Sequence, residues 1–229
     1  MSSGAPVWIT RAQPGAAATA ERVAALGFSP VVDPLLEVIP LAATIDLSGV
    51  AALAFTSVNG VDGFARCSAR RDLPVFTVGA ATARAAREAG FAATLSADGD
   101  VAALERLIAD ARPGPVLWAG AETPAGDLVA GLQAQGVEAR GVAVYATVAR
   151  APTRVTLGLL DAPLAVLVHS PRAARALARI LEGRPSRQEL RLLCLSPAVA
   201  APLMVVAEPG SVAFAPRPDE STLLNLLGA

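Results

Sequence analysis

One strand-to-helix pattern occurs in this chain more than once, and that repetition limits the folds open to it more than any other feature. Phe55-Thr56-Ser57-Val58-Asn59-Gly60-Val61 closes one apolar run, and Leu167-Val168-His169-Ser170-Pro171-Arg172 closes another. Val75-Phe76-Thr77-Val78-Gly79-Ala80-Ala81-Thr82-Ala83 pairs in the same way with Leu192-Leu193-Cys194-Leu195-Ser196-Pro197-Ala198-Val199-Ala200. Setting Thr10 against Ala119, Phe55 against Leu167 and Val78 against Leu195 gives offsets of 109, 112 and 117 residues. A slowly drifting offset marks a duplication with small insertions. Each copy sends an apolar run into small polar residues that can open a helix, so the chain should hold two domains with its function at the turns.

Between these markers the pattern alternates. Strands are expected at 7–10, 30–34, 52–57, 75–78, 116–120, 139–145, 164–169 and 192–195, with helices at 16–26, 60–67, 81–89, 101–111, 125–135 and 172–181 and a closing helix from 220. Gly27, Gly90 and Gly136 stop helices, and the prolines Pro30 and Pro34 suggest an edge or crossing strand. Residues 11–15 form a loop into the first helix. Strand and helix in alternation argue for an α/β fold of parallel sheets flanked by helices. The Asp33-Pro34 region and Arg150-Ala151-Pro152-Thr153-Arg154 read as two connectors, which would let one domain be inserted into the other.

Composition removes several chemistries. All 19 basic residues are arginine and none is lysine, so Schiff-base, P-loop and pyridoxal phosphate chemistry are excluded. The arginines are scattered and aromatics are only 4% of a chain with net charge -1, which argues against nucleic acid as a partner. Hydrophobic residues reach 53% of the 229 residues, yet alanine supplies much of this. No uninterrupted apolar stretch approaches the roughly 18 residues of a membrane span. No secretory signal is visible, so a soluble cytoplasmic protein is expected. Cys67 and Cys194 stand apart without a CxxC motif and are expected to be buried free thiols; no metal site is indicated.

In a parallel α/β domain the strand-to-helix turns gather at the carboxyl edge of the sheet, where helix N-termini offer free N–H groups. Thr10-Arg11, Thr56 to Gly60, Gly79 to Thr82, Gly120 to Gly126 and His169-Ser170 all fall at such turns. They supply hydroxyls and backbone donors with few formal charges, which suits a ligand bearing several carboxylates. The same residue types are ordinary helix caps, so each turn is open to either reading. Tyr145, the sole tyrosine, is expected at a strand end before a connector, as packing or as a working phenol. His169, the sole histidine, reads as a cap or packing residue, since no serine and aspartate pattern accompanies it.

With these turns in view, the chain resembles the uroporphyrinogen-III synthase family over essentially its whole length. The likeness rests on Ile9-Thr10-Arg11, Phe55 to Val61, Val78-Gly79-Ala80-Ala81-Thr82-Ala83, Val144-Tyr145, His169-Ser170-Pro171 and Glu220-Ser221-Thr222-Leu223-Leu224, taken in order. The resemblance implies two similar α/β domains joined by a two-stranded linker, with the second inserted into the first. The expected division is 1–35 plus 150–229 for the first domain and 36–149 for the second. It further implies a cyclising lyase of tetrapyrrole and heme biosynthesis. Members of the family close hydroxymethylbilane, a linear tetrapyrrole with eight carboxylates, and invert ring D to give uroporphyrinogen III and water. They do so in a cleft between the domains without cofactor or metal. On this basis Tyr145 assists departure of the hydroxyl, and Thr10, Arg11, Thr56, Ser57, Asn59, Gly60, Gly79, Thr82 and Ser170 hold the substrate. A monomer is expected, with no membrane or nucleic-acid partner.

The chain also departs from the family pattern. Where a glycine and then a threonine usually stand at a turn of the second half, it has Ser196 and Val199, and Pro202 should break the following helix early. The duplication thus keeps its hydroxyls mainly in the first-half copies, and the inserted domain is expected to grip the ligand more. Two readings remain: the enzyme, and a non-catalytic two-lobed module that binds a tetrapyrrole or similar polyanion. A sugar- or nucleotide-binding protein lacks its stacking aromatics and phosphate fingerprint here.

Overall fold

The computed structural model describes residues 4–13, 15–182 and 189–228; Pro14 of the expected loop at 11–15 lies outside the described residues. The chain opens with β1 (Pro6–Ile9), α1 (Gly15–Ala25), β2 (Ser29–Val32) and β3 (Leu36–Pro40). There follow β4 (Ala52–Phe55), α2 (Val58–Cys67), β5 (Val75–Thr77), α3 (Ala80–Glu88), β6 (Thr94–Ser96) and α4 (Val101–Ala111). Next come β7 (Val116–Ala121), α5 (Leu128–Ala134), β8 (Ala139–Ala149) and α6 (Arg154–Leu159). The chain ends with β9 (Leu164–Val168), α7 (Pro171–Leu181), β10 (Leu190–Cys194), α8 (Pro197–Ala200), β11 (Val212–Phe214), α9 (Glu220–Asn225) and a 3-10 turn.

The caps explain the boundaries. Ser57, Asp100, Asp127, Thr153, Ser170 and Asp219 each accept a hydrogen bond from the backbone N–H three residues on, satisfying a donor that the first helical turn leaves free. At the far end of α4, Arg112 takes the left-handed conformation (φ 48°) that ends a helix, and Gly114 (φ 95°) completes the turn.

The strands assemble into two sheets. One runs β2-β1-β9-β10-β11, all parallel. The other runs β3-β8-β7-β4-β5-β6, with the five strands from β8 to β6 parallel. The first belongs to a unit made of residues 1–37 and 148–229, the second to a unit of residues 38–147. Backbone hydrogen bonds from Leu41 to Val144 (3.0 Å) and from Arg150 to Leu35 (2.9 Å) pair the β3 and β8 segments antiparallel. Asp33 fastens the crossing on its own unit by accepting from Arg150 at 2.9 Å and from the Thr153 N–H at 2.7 Å. Burial pushes its carboxyl up, and hydrogen bonds from Thr156, Thr153 and Arg150 outweigh that and hold it below the ordinary value.

The strand order reveals how the duplication is used. Both sheets have the doubly wound order 2-1-3-4-5 once β7 is matched to β1, β8 to β2, β4 to β9, β5 to β10 and β6 to β11. The sequence offsets make the same three matches. Each unit therefore takes its first two strands from one repeat and its last three from the other. The match extends to caps: Asp100 before α4 and Asp219 before α9 stand at equivalent positions.

Core packing follows the layers. In the inserted unit Phe55, Phe64 and Phe91 meet with ring centroids 5.7 to 6.0 Å apart, between sheet and helices. In the other unit Trp8, Val166 and Leu177 are fully buried in one core cluster, and Val7, Ile9 and Leu167 in the cluster on the opposite face of the sheet. Several expectations are corrected. Arg154 is not connector but the start of α6, which Thr153 caps. The three-residue strands β6 and β11 and the strand β3 carry too few alternating residues to stand out in sequence. Cys194 is buried, and burial pushes its thiol up to about 12, whereas Cys67 is only partly buried with Sγ 3.5 Å from the Leu41 carbonyl. Among the described residues no helix is long and apolar enough to cross a membrane.

Candidate active site

Tyr145 is expected before a connector, at the end of a strand; it lies instead inside β8, which continues to Ala149. A bulge sets its aim. Gly120 pairs with Ala143 but Ala121 pairs with Tyr145, so Val144 is an extra residue in β8. In a regular strand consecutive side chains point to opposite faces. Here Val144 and Tyr145 enter the same core cluster, as a bulge permits. The phenol is 9% exposed and its oxygen lies 3.0 Å from Ser57 Oγ.

Ser57 is the N-cap of α2. Its hydroxyl accepts the Gly60 N–H at 3.1 Å while meeting the tyrosine. Two glycines let α2 come this close to the sheet. A Cβ on Gly60 would stand 2.6 Å from the Ala119 carbonyl oxygen, and one on Gly63 2.7 Å from Val144 Cγ2 and 2.9 Å from the Val144 carbonyl oxygen. Beside it, Thr56 Oγ1 accepts from the Trp118 indole at 3.2 Å. Asn59 is half-buried in the first turn of α2. Together Val38, Pro40, Asn59, Asp62, Gly63, Arg66, Val144 and Tyr145 line a pocket of about 210 Å³ within the inserted unit. Asp62 and Arg66 are not among the residues that sequence reasoning singled out; their spacing from Asn59 on one helix face is the signal that could have found them.

The next turn of this sheet edge holds Gly79, N-cap of α3, and Thr82, 5% exposed in the first turn. Their counterparts in the other unit are Ser196, whose side chain makes no cap hydrogen bond, and Val199, 3% exposed and packed in the core. Helix α8 stops at Ala200, two residues before Pro202.

At the first unit's edge the turns are otherwise engaged. Thr10 is fully buried and its hydroxyl donates to the Leu167 carbonyl at 2.7 Å, tying β1 to β9. The strands thus use this hydroxyl themselves. Ser170 caps α7 through the Ala173 N–H at 3.2 Å. Arg11 lies over Gly15 and donates to Glu220 Oε2 at 3.1 Å. The same carboxylate takes hydrogen bonds from Thr19 at 2.5 Å and His169 Nε2 at 3.0 Å. Burial alone would push the Glu220 carboxyl up; hydrogen bonds from His169 and Thr19, with the charges of His169 and Arg11, bring it down to about 2. With Nε2 directed at Glu220, His169 Nδ1 is left buried without a hydrogen-bond partner among the described residues. Sequence reasoning placed His169 and Glu220 in separate segments, and only the fold brings them together.

These features define a class: a duplicated α/β protein of two strand-exchanged units, with a tyrosine and a helix-capping serine joined at one sheet edge. A family model described as uroporphyrinogen-III synthase HemD matches residues 17–225. The chain belongs to the uroporphyrinogen-III synthase family. A crystal structure of uroporphyrinogen-III synthetase from Helicobacter pylori 26695 is similar in fold, with TM-score 0.70, 16% identity and 97% of each chain covered. A mutant uroporphyrinogen III synthase from the extremely thermophilic bacterium Thermus thermophilus matches with TM-score 0.52, 18% identity and 98% of each chain covered. A search of curated proteins gave no significant match.

Proposed function

We propose that the protein closes hydroxymethylbilane to uroporphyrinogen III with inversion of ring D and loss of water, and that Tyr145 supplies the proton for the departing hydroxyl. The observation that carries this reading is the 3.0 Å contact between Tyr145 and Ser57 beside a pocket. When Ser57 donates to the phenol oxygen, the tyrosine's own proton is free to point at a ligand. The C–O bond of the substrate then breaks, the hydroxyl leaves as water with that proton, and Ser57 stabilises the charge left on the phenol oxygen. The terminal ring then attacks this carbon through its own substituted α-carbon to form a spiro intermediate. The bond from that α-carbon to the neighbouring bridge methylene breaks, the methylene re-bonds at the ring's free α-carbon, and the proton lost there as the pyrrole regains aromaticity returns to Tyr145. Orientation supplies most of the rate, since holding reacting carbons together replaces an improbable encounter.

The backbone donor at Gly79 and the close turn that Gly60 permits, with Thr56, Ser57, Asn59, Thr82, Ser170 and Arg11, hold the substrate's carboxylates in this reading. Thr10 acts only by locking β1 to β9. A cytoplasmic monomer is the matching setting, which size-exclusion chromatography checks. Supplying hydroxymethylbilane from a coupled deaminase should give mainly type III product; type I alone would leave a non-catalytic binding module. Tyr145→Phe should lower turnover about tenfold, the scale of a modest general-acid contribution. Unchanged turnover would return Tyr145 to a packing role.

A further inference from the structure

We propose that the pocket beside Tyr145 seats one acid-bearing pyrrole ring and that Arg66 pairs with that ring's carboxylate, a specificity role that rests on the synthase reading above. Size sets the first limit. A pocket of about 210 Å³ falls short of the roughly 300–1,000 Å³ that enclose a whole drug-sized ligand. It takes a fragment of a tetrapyrrole, not the chain of four rings.

Shape and charge set the second. Asn59, Asp62, Gly63 and Arg66 stand at i, i+3, i+4 and i+7 on α2 and so share a face, with Val38, Pro40, Val144 and Tyr145 as the other lining residues. The phenol oxygen is tied to Ser57 at the N-terminal end of that helix. Arg66 lies about 10 Å further along the axis than Asn59, at 1.5 Å per residue. A ring laid along the groove therefore has its reacting carbon at the phenol end and its acid at the guanidinium end. Between the two ends, Gly63 and Val144 offer compact and apolar surface to a pyrrole face, with the Asp62 carboxylate beside them.

Arg66 is the only cation in the lining, and no described residue gives it a hydrogen bond or ion pair. Arg150 and Arg71, by contrast, are spent internally, Arg150 on Asp33 and Arg71 on backbone carbonyls. Asp62, one turn nearer the phenol, repels a carboxylate from the middle of the groove. It also attracts the cationic ring carbon left when the hydroxyl departs. The planar fork of arginine suits bidentate pairing with a carboxylate better than an ammonium would.

The test is kinetic and then thermodynamic. Arg66→Gln should raise KM for hydroxymethylbilane on the order of fivefold, with kcat within a factor of two, as expected for one part-exposed ion pair. Arg66→Lys should recover part of the loss, and Arg66→Glu should exceed it. Equal KM in Arg66→Gln and the unsubstituted protein would overturn the inference. Titration with uroporphyrin III, a stable octacarboxylate, followed by tryptophan fluorescence, separates this from failure of the synthase reading. If the unsubstituted protein makes no type III product, the synthase reading fails on its own. The Arg66 inference is then decided by whether Arg66→Gln binds uroporphyrin III several-fold more weakly, which supports it, or equally well, which overturns it.

Discussion

Glu220→Gln is expected to destabilise the protein by about 3 kcal/mol at neutral pH and to remove the Glu220 share of its acid sensitivity between pH 4.5 and 2. The carboxylate is 20% exposed and serves three donors at once, Arg11, Thr19 and His169. Its fall from 4.5 to about 2 corresponds to about 3 kcal/mol at 1.36 kcal/mol per pH unit. The sign follows from the direction. A carboxyl lowered by folding stabilises the protein above its unfolded value of 4.5, and that contribution is lost as pH drops towards 2. Breaking the cluster also leaves Arg11 and His169 facing each other without the anion, at a site where His169 Nδ1 already lacks a hydrogen-bond partner among the described residues. A melting point lower by about 9 °C is the equivalent for a chain of this length. Urea unfolding at pH 7, 4 and 3 checks it. Curves for the two proteins that fall in parallel over this range would show that Glu220 is not the group responsible.

That cluster also marks what the sequence can and cannot show. The repeats, their offsets and the helix stops at Gly27, Gly90 and Gly136 were legible because apolar period and turn residues are local signals. The matches of Thr10 with Ala119 and Phe55 with Leu167 even anticipate which strands are equivalent across the two sheets. The exchange of half-repeats between units was not legible, because strand order depends on pairing between distant segments. Tyr145 was singled out as the lone tyrosine, but its aim comes from the bulge at Val144, which period-two reasoning cannot see. Thr10 reads in sequence as a turn hydroxyl, and only the pairing of β1 with β9 shows it donating to the Leu167 carbonyl, which its own N–H also reaches. Glu220 was visible only as the start of a closing helix. Its partners come from the turns after β1 and β9 and from α1, more than fifty residues away in the nearest case.

Gly60→Ala should cost about 2 kcal/mol of stability and up to about tenfold in turnover, although alanine is the better helix former. The added methyl would stand 2.6 Å from the Ala119 carbonyl oxygen, backbone that no rotamer change can move aside. Helix α2 must then lift from β7, and its N-cap Ser57 travels with it. In the proposed mechanism the 3.0 Å contact from Ser57 to Tyr145 is the one that frees the phenol's proton, so a displacement of about 1 Å separates the pair. Gly63→Ala should act from the other side, since its methyl meets the Val144 carbonyl oxygen at 2.9 Å and presses on the bulge that aims Tyr145. Gly158→Ala in α6 provides the contrast. Nothing lies within 4 Å of its added methyl, so this substitution should stabilise by about 0.5–1 kcal/mol and leave turnover unchanged. If Gly60→Ala instead melted higher and kept full turnover, close approach of α2 to β7 would not be what holds Ser57 against Tyr145. Poor turnover with normal melting, by contrast, would locate the whole effect in the placement of that pair.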